Sequence, residues 1–290
     1  MIAIIVHGGA GSWAHEQEVK AIAGVRAAAQ VGAKILASGG SALEAAVEAV
    51  VVLEDDPIFN AGTGSVLNSV GEVEMDAAVM NGCTLQAGGV ACLRRVKNPV
   101  RVAHRVMEAT PHVLLCGEGA LRFARAQDFG DYDPITPERR EDFGRKRDQP
   151  GNTVGAVTLD RRGNLAAATS TGGVSLKLPG RVGDSPVPGA GNYASPGAAS
   201  SFTGTGELAL RFLATKTACD LIESGRSAQE AAALTLSRMA KSVGRNAGII
   251  AVDAKGRIGA AHLTAAMPHA FIGGAGGKLV ARLRATTTRP

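Results

Sequence analysis

Apolar residues at the start of the chain form a short β-branched run over residues 2–7, which predicts a buried strand. The run ends in HGGAG, a turn rich in backbone amides. Apolar side chains over residues 16–36 then recur on one helical face, and two glycines end that helix. Ser41 and Glu44 form a capping box ahead of ALEAAVEAVVVLEDD, which predicts a second helix. One strand is therefore followed by two helices.

The middle of the chain contains two strand patterns and two shorter helical patterns. EVEMDAAVMNG and GGVACLRRV predict strands, and residues 99–110 and 117–127 predict helices. Residues 128–150 differ, because 12 of these 23 residues are charged and three are prolines. A segment of this composition buries too little apolar surface to offset its ordering entropy. We therefore expect a mobile linker over about 128–152.

The second half of the chain repeats one hairpin pattern. GAVTLDRRGNLAAATS at residues 155–170 aligns with GIIAVDAKGRIGAAHL at residues 248–263, and the glycine of each turn suits a positive φ. We predict two antiparallel hairpins. Between them, residues 207–224 and 228–242 predict two long helices, and another capping box opens the second.

The order of these elements indicates the fold class. Strands lie at the start, middle and end of the chain and helices come in pairs, whereas a doubly wound βαβ fold alternates them singly. Two mainly antiparallel sheets, covered on their outer faces by helix pairs, fit this order better. We therefore predict an α+β protein, a four-layer αββα sandwich. With 290 residues and 45% hydrophobic content, the chain is expected to form a single domain over residues 1–290.

Composition narrows the classes of function. The net charge of +5 arises from 31 basic and 26 acidic residues that are mostly scattered, and the chain has one Trp and two Tyr. Nucleic-acid binding requires a clustered basic face with aromatic residues, so we expect no nucleic-acid partner. The first residues lack a basic n-region, and the apolar run is too short for a signal peptide or a membrane span. We expect a cytoplasmic protein with no membrane partner.

The common catalytic motifs are missing from the sequence. The four cysteines form no CxxC pair and have no histidine at zinc-ligand spacing, so we expect free thiols and no metal site built from them. A G-x-S-x-G nucleophile elbow is absent, and none of the six histidines adjoins a nucleophile motif. No glycine-rich stretch has the context of a dinucleotide or Walker loop. The nucleophile must therefore be of another kind.

The stretch PGNTVGAVTLD places Thr153 where the charged segment meets a strand. If the chain were cut before Thr153, its hydroxyl would be the nucleophile and its new α-amine the general base. A terminal amine titrates at about 7.7–8.0, so much of it is a free base near neutral pH. Taken alone, the stretch favours an ordinary first residue of a strand.

Other polar residues in the second half suit the same chemistry. Thr171 ends the strand paired with that of Thr153, so the two hydroxyls are expected to lie together. Arg181 and Asp184 flank a glycine turn and suit a zwitterionic amino-acid head group, although a surface ion pair is the common alternative. A hydroxyl and glycine amides at residues 203–206 precede a helix and suit an oxyanion, or a simple helix cap.

The chain shares a series of motifs with one family. In order they are IIVHGGAG, FNAGTGSVLN, MDAAVMNG, TVGAVTLD, AATSTGG, LPGRVGDSP, GAGNYA and TGTGE. Together they resemble the N-terminal-nucleophile asparaginase family, the plant-type L-asparaginase/isoaspartyl peptidases, from residue 4 to about residue 271. The resemblance implies a precursor that cleaves itself before the threonine into α (1–152) and β (153–290) subunits. These stay assembled in the αββα fold, usually as a dimer of αβ heterodimers.

Residue by residue, the resemblance implies that Asn152–Thr153 is the cleaved bond and that Thr153 is the nucleophile. Thr171 would support the nucleophile's hydroxyl, and Thr203 with Gly204 would form the oxyanion hole. Relatives commonly carry Gly, Asp or Glu at the position of Asn152. We therefore expect this residue to alter the rate of self-cleavage more than the final chemistry.

The resemblance also implies how a substrate is held. Arg181 and Asp184 would bind the α-carboxylate and the α-amine of the aspartyl moiety, and the Gly206 carbonyl would assist with the amine. Residues 53–63 resemble the family's sodium-binding loop, whose ligands are mostly backbone carbonyls. No cofactor is expected beyond this structural sodium ion.

The expected function is a threonine hydrolase, activated by autoproteolysis, that cleaves the small molecules L-asparagine and β-aspartyl (isoaspartyl) dipeptides. Two alternatives stay open. A glycosylasparaginase-type amidase belongs to the same family, but it is typically secretory and needs room for a sugar. An unprocessed, non-catalytic binding module would keep the fold alone. The retained set of polar residues argues against that module: Thr153, Thr171, Arg181, Asp184 and Thr203.

Overall fold

The structure, a computed structural model, describes residues 1–145, 153–273 and 277–285. Within these ranges the helices are α1 (His15–Ala37), α2 (Ala42–Asp55), α3 (Pro99–Ala109), α4 (Gly117–Ala126), α5 (Pro137–Gly144), α6 (Gly206–Phe212), α7 (Ala214–Glu223) and α8 (Ala228–Ser242). The strands are β1 (Ala3–His7), β2 (Met75–Asn81), β3 (Ala87–Leu93), β4 (Leu114–Cys116), β5 (Val154–Leu159), β6 (Leu165–Thr171), β7 (Asn192–Ala194), β8 (Ala198–Gly204), β9 (Ala247–Asp253), β10 (Ile258–His262), β11 (His269–Ile272) and β12 (Val280–Arg282).

The strands form two sheets, so the protein is of mixed α+β type as predicted. The larger sheet has the order β12-β11-β1-β5-β6-β2-β3-β4, and the smaller has the order β10-β9-β8-β7. The β3–β4 pair is parallel, and the other described strand pairs are antiparallel. Helices α1, α2 and α3 contact the larger sheet, whereas α7 and α8 contact the smaller one. The two sheets also contact each other, chiefly through β5 and β6 against β8.

Strand β1 shows why the two sheets pack together. Its residues Ile4 and Val6 lie in the apolar cluster that includes α1 and α2. Ile5 points to the opposite face, because successive side chains of a strand alternate. There it packs with Val157 and Ile250, in the cluster that joins the two sheets. Full burial of each such side chain contributes about 1.5–3 kcal/mol to folding. An apolar strand without polar alternation is therefore explained by burial on both faces.

Both predicted hairpins are confirmed. Strands β5 and β6 pair antiparallel, with Val154 opposite Ser170 and Leu159 opposite Leu165. Strands β9 and β10 pair in the same way. The β5–β6 register brings the start of β5 beside the end of β6, which is where the candidate nucleophile lies. None of the helices in the described part of the chain has both the length and the apolar character needed to cross a membrane.

The helix predicted over residues 207–224 is two helices, so that prediction is wrong in detail. Leu213 separates α6 from α7 in a left-handed conformation, with φ 54° and ψ 58°. A non-glycine residue in this region costs about 1 kcal/mol or more and breaks the helical path. The N–H of Leu213 still donates to the Ala209 carbonyl oxygen at 2.8 Å. Apolar periodicity does not detect a break confined to one residue.

Helix α5 lies inside the segment that was predicted to be a mobile linker. Thr136 caps it by accepting a hydrogen bond from the N–H of Arg139, and Pro137 occupies its first turn. Phe143 packs against a small buried cluster formed by Leu67, Val73 and Met75. Nε of Arg139 donates to the Gly64 carbonyl oxygen at 2.6 Å. The high charge content of the segment predicts a linker, and a composition averaged over the segment does not reveal these few contacts. The rest of the predicted linker, residues 146–152, lies outside the described ranges.

Candidate active site

Two threonine hydroxyls meet at the open end of the β5–β6 hairpin. Thr153 directly precedes β5, and Thr171 is the last residue of β6. Because Val154 pairs with Ser170, the next position outward sets Thr153 beside Thr171. Oγ1 of Thr153 donates a hydrogen bond to Oγ1 of Thr171 at 3.2 Å, and both residues are buried. The structure thus brings together the hydroxyl pair that the hairpin pattern predicted. Asn152, on the other side of the predicted cleavage bond, lies outside the described residues.

Asn60 holds the turn that follows Thr171. Its side-chain Nδ2 donates to the Gly173 carbonyl oxygen at 2.7 Å, and its backbone carbonyl oxygen accepts from the N–H of Gly172 at 2.8 Å. The N–H of Gly173 in turn donates to Oγ1 of Thr171 at 3.0 Å. A side chain at Gly172 would collide with Oδ1 of Asn60. Asn60 belongs to the motif FNAGTGSVLN, but its part in the site was not predicted from the sequence.

Thr203 and Gly204 lie at the end of β8. Oγ1 of the buried Thr203 accepts a hydrogen bond from the N–H of Ala10 at 3.0 Å. This acceptor role leaves the hydroxyl proton of Thr203 available for donation to another group. Gly204 has φ +137°, and a Cβ at this position would collide with the Asn246 carbonyl oxygen. Only glycine fits there.

The HGGAG turn connects Thr203 with the hydroxyl pair. Strands β1 and β5 are antiparallel with His7 opposite Gly155, so the turn after His7 runs past the Thr153 end of β5. Ala10, which binds Thr203, belongs to this turn. Thr203 therefore lies at the same end of the fold as Thr153. These contacts assemble residues from the first, middle and last thirds of the chain.

A buried network beneath the hydroxyl pair joins the two sheets. The Ser201 hydroxyl lies 2.9 Å from Nε2 of His7 and 2.8 Å from the Thr169 hydroxyl. Burial lowers the pKa of His7 to about 3, so this imidazole is neutral. His7 is therefore a core residue that fixes strand positions.

Arg181 is paired with Glu207 and not with Asp184. Its Nε and Nη2 donate to the two carboxylate oxygens of Glu207 at 2.9 and 2.8 Å. The Arg181 side chain is 15% exposed and that of Glu207 is 53% exposed. The hydrogen bond from Arg181 is the largest contribution that lowers the pKa of Glu207. Glu207 directly follows TGTG in the sequence, but nothing in the spacing links it to Arg181, so its place in the site was not predicted.

Asp184 is a buried carboxylate beside Arg181 and Gly206. Burial raises its pKa to about 7, against the opposing effect of the Arg181 charge. Its Oδ2 has no hydrogen-bond partner within the described ranges. A Cβ on Gly206 would lie 2.8 Å from Oδ1 of Asp184 and 2.9 Å from Nη2 of Arg181. The structure thus brings together the three predicted head-group residues: Arg181, Asp184 and Gly206.

Asp76 fixes the turn that carries the head-group residues. Its two carboxylate oxygens accept hydrogen bonds from the N–H groups of Cys92, at 2.9 Å, and Gly183, at 3.1 Å. Burial raises the pKa of Asp76, and the nearby charge of Lys177 opposes that shift. Nζ of Lys177 donates to the Glu74 carbonyl oxygen at 2.6 Å. The sequence signal for Asp76 was its place inside an otherwise apolar strand, MDAAVMN.

The described residues contain no group of three or more His, Cys, Asp or Glu side chains arranged to hold a metal ion. The groups gathered at the site are threonine hydroxyls, backbone N–H groups, one guanidinium and two carboxylates. The hydroxyl pair of Thr153 and Thr171, the hydroxyl of Thr203, and the charged side chains of Arg181 and Asp184 lie in one region. This arrangement matches an amide substrate that carries an amino-acid head group.

The chain is similar to known asparaginases over nearly its whole length. A family model described as asparaginase matches residues 1–151 and 140–280. Plant-type L-asparaginase of Pyrococcus horikoshii is 48% identical over 296 residues, covering 94% of this chain and 96% of the relative. Isoaspartyl peptidase/L-asparaginase of Bos taurus is 44% identical over 286 residues, covering 92% of each chain. The protein of the same name in Mus musculus is 43% identical over 307 residues, covering 99% of this chain and 92% of the relative. The chain therefore belongs to the asparaginase family.

Proposed function

We propose that this chain is a threonine hydrolase that cleaves the side-chain amide of L-asparagine and the isopeptide bond of β-aspartyl dipeptides. The observation that carries the proposal is the hydrogen bond between the buried hydroxyls of Thr153 and Thr171 at the start of β5. The names of the relatives, L-asparaginase and isoaspartyl peptidase, support the choice of substrates.

The proposed enzyme is activated by cutting its own chain between Asn152 and Thr153. This cleavage yields an α subunit of residues 1–152 and a β subunit of residues 153–290, and it frees the α-amine of Thr153. The proposed architecture is the four-layer αββα sandwich of the N-terminal-nucleophile hydrolases. Helices on the larger sheet, contacts between the two sheets, and helices on the smaller sheet support it. The family resemblance supports a dimer of αβ heterodimers.

In the proposed reaction, Oγ1 of Thr153 attacks the β-carbonyl carbon of the substrate, and its proton passes to the free α-amine of the same residue. The oxyanion receives hydrogen bonds from the Thr203 hydroxyl and from the backbone of Gly204. The protonated amine then gives a proton to the leaving nitrogen, and ammonia or an amino acid departs. Water activated by the amine attacks the remaining β-aspartyl ester and regenerates the Thr153 hydroxyl.

The substrate head group is proposed to bind opposite the catalytic threonines. Arg181 binds the α-carboxylate through the guanidinium edge that Glu207 leaves open. Asp184 binds the α-ammonium together with the Gly206 carbonyl. Binding the ammonium stabilises the charged form of Asp184, which burial alone disfavours.

A structural sodium ion in the loop of residues 53–63 is part of the proposal. The loop closes on itself, because the N–H of Thr63 donates to the Glu54 carbonyl oxygen at 2.8 Å. The carbonyl oxygens of Glu54 and Lys97 approach the Cβ position of Gly62 to 2.6 and 2.9 Å. Carbonyl oxygens are suitable ligands for a hard cation, and the ion would rigidify the loop that carries Asn60.

Activity on three substrates tests the proposed function. Wild-type protein is expected to hydrolyse L-asparagine and a β-aspartyl dipeptide with higher kcat/KM than an asparagine that carries N-acetylglucosamine on its side-chain nitrogen. A strong preference for the glycosylated asparagine would replace the proposal by a glycosylasparaginase-type amidase. A folded protein that hydrolyses none of the three would favour the non-catalytic binding module.

A further inference from the structure

A cavity of about 460 Å³ opens beside Gly204, one of the two residues proposed to form the oxyanion hole. Gly204 and Thr205 form one wall, the HGGAG turn with Ala10 forms another, and Val174 lies just beyond the turn after Thr171. None of the head-group residues Arg181, Asp184 and Gly206 lines it. The cavity therefore meets the proposed reaction centre on a side other than the head-group side. Its volume falls within the range of roughly 300–1000 Å³ typical of small-ligand pockets.

The cavity wall combines apolar surface with the polar groups of Ser12, Thr205, Asn246 and Thr264 and with one cation. Val174, Leu263 and Ala265 contribute apolar surface. Arg245 is exposed at the rim, and its side chain makes no ion pair or hydrogen bond within the part of the chain that the structure describes. Arg245 is a guanidinium whose donors are available to an incoming ligand.

Asn246, the residue after Arg245, is hydrogen-bonded to Thr205, the residue after Gly204. Its carbonyl oxygen accepts the N–H of Thr205 at 2.9 Å, and its Nδ2 donates to Oγ1 of Thr205 at 3.0 Å. The same carbonyl oxygen lies where a side chain on Gly204 would be. The position of Arg245 relative to Gly204 is thereby fixed through a single neighbouring residue.

We propose that this cavity is the leaving-group subsite for β-aspartyl dipeptides, and that Arg245 binds the free α-carboxylate of the second amino acid. The proposal deepens the proposed function and rests on it. The apolar part of the wall, formed by Val174, Leu263 and Ala265, receives the side chain of that second residue, which favours aliphatic over acidic or basic dipeptides. Ammonia, the leaving group of L-asparagine, is too small to reach either feature. Arg245 therefore determines selectivity between the two substrate classes without taking part in the chemistry.

Arg245→Gln, compared on three substrates, tests the proposal. The substrates are β-aspartyl-leucine, the same dipeptide with an amidated C-terminus, and L-asparagine. We expect kcat/KM on the free dipeptide to fall about tenfold, mainly through KM, which corresponds to about 1.4 kcal/mol. Activity on the amidated dipeptide and on L-asparagine is expected to stay unchanged, and Arg245→Lys is expected to recover part of the loss. Arg238→Gln, at an exposed arginine of α8 away from the cavity, is the matched control.

A second variant tests the cavity without changing a charge. Ala265→Trp fills the cavity and is expected to lower kcat/KM on both dipeptides while leaving L-asparagine hydrolysis intact. An equal loss on all three substrates, or no loss on the free dipeptide, would overturn the subsite assignment while leaving the proposed function standing. Wild-type protein that cleaves none of the three substrates would overturn the proposed function, and the subsite with it.

Discussion

Glu207 holds the guanidinium of Arg181 by two hydrogen bonds, 2.9 Å from Nε and 2.8 Å from Nη2. A guanidinium has five N–H groups in a planar fork. Because the bonds to Glu207 use Nε and Nη2, the Nη1 side stays free for a second carboxylate. The Arg181 side chain is largely buried, and the pairing fixes the direction in which that free edge points. Under the proposed function, Glu207 is therefore expected to position Arg181 for substrate recognition.

Glu207→Gln is expected to raise KM for L-asparagine about tenfold and to leave kcat within about threefold, a difference in binding near 1.4 kcal/mol. The variant keeps one acceptor but loses the charge and half of the bidentate geometry. Steady-state kinetics on purified protein measure the split between KM and kcat. Glu118→Gln, at an exposed carboxylate of α4, is the control. A loss confined to kcat would contradict a positioning role.

The raised pKa of Asp184 predicts that the binding of ligands with an α-amine depends on pH, whereas the binding of ligands without an α-amine does not depend on it in this way. Its raised pKa of about 7 means that acidification below neutral pH neutralises the carboxylate that faces the amine. The inhibition constant of L-aspartate is expected to rise as pH falls from 8 to 6. That of succinate, which has both carboxylates but no amine, is expected to show no such rise. Titration of the Thr153 amine affects both ligands alike, so equal pH profiles would exclude this role for Asp184.

Gly204→Ala is expected to lower kcat about 100-fold or more, as the loss of an oxyanion donor does. The added methyl group would collide with the Asn246 carbonyl oxygen and displace the end of β8. Gly163→Ala is the control, because Gly163 also has a positive φ, +86°, but has open space around it. That control is expected to lose about 1 kcal/mol of stability and to keep its kcat. Thermal unfolding establishes that both variants fold, and full activity of folded Gly204→Ala would contradict the assignment.

Thr171→Val is expected to lower kcat about 100-fold, whereas Thr171→Ser is expected to stay within tenfold of wild type. Valine keeps the branched shape but removes the oxygen that accepts from Thr153 and from the N–H of Gly173. Serine keeps that oxygen. The comparison separates hydrogen bonding from packing, and equal kinetics of the two variants would show that the hydroxyl of Thr171 has no part in the reaction.

The sequence predicted the parts of the site that depend on local order. The hairpin pattern placed Thr153 beside Thr171 because strand register follows from alternation and turn length. The sequence did not predict the contact between Arg181 and Glu207. These residues are 26 positions apart, and strands β7 and β8 of the smaller sheet lie between them. Asp76 was missed for a similar reason, because its partners come from β3 and from a later turn.

Local conformation limited the prediction of the helices. The left-handed conformation of Leu213 has no glycine in the sequence to indicate it. Helix α5 has a weak apolar face, and it is held by the packing of Phe143 against the buried cluster and by the hydrogen bond from Arg139 to the Gly64 carbonyl oxygen. Periodicity and composition average over many residues, so neither feature is visible to them.

The proposed function requires Thr153 to become a chain terminus and then to act as the nucleophile. Intact mass spectrometry of purified wild type beside Thr153→Ala tests it most directly, with L-asparagine hydrolysis measured on the same samples. Wild type is expected to give two fragments with the masses of residues 1–152 and 153–290 and to be active, and the variant to stay uncut and inactive. A fully active protein that remains one uncut chain would contradict the account.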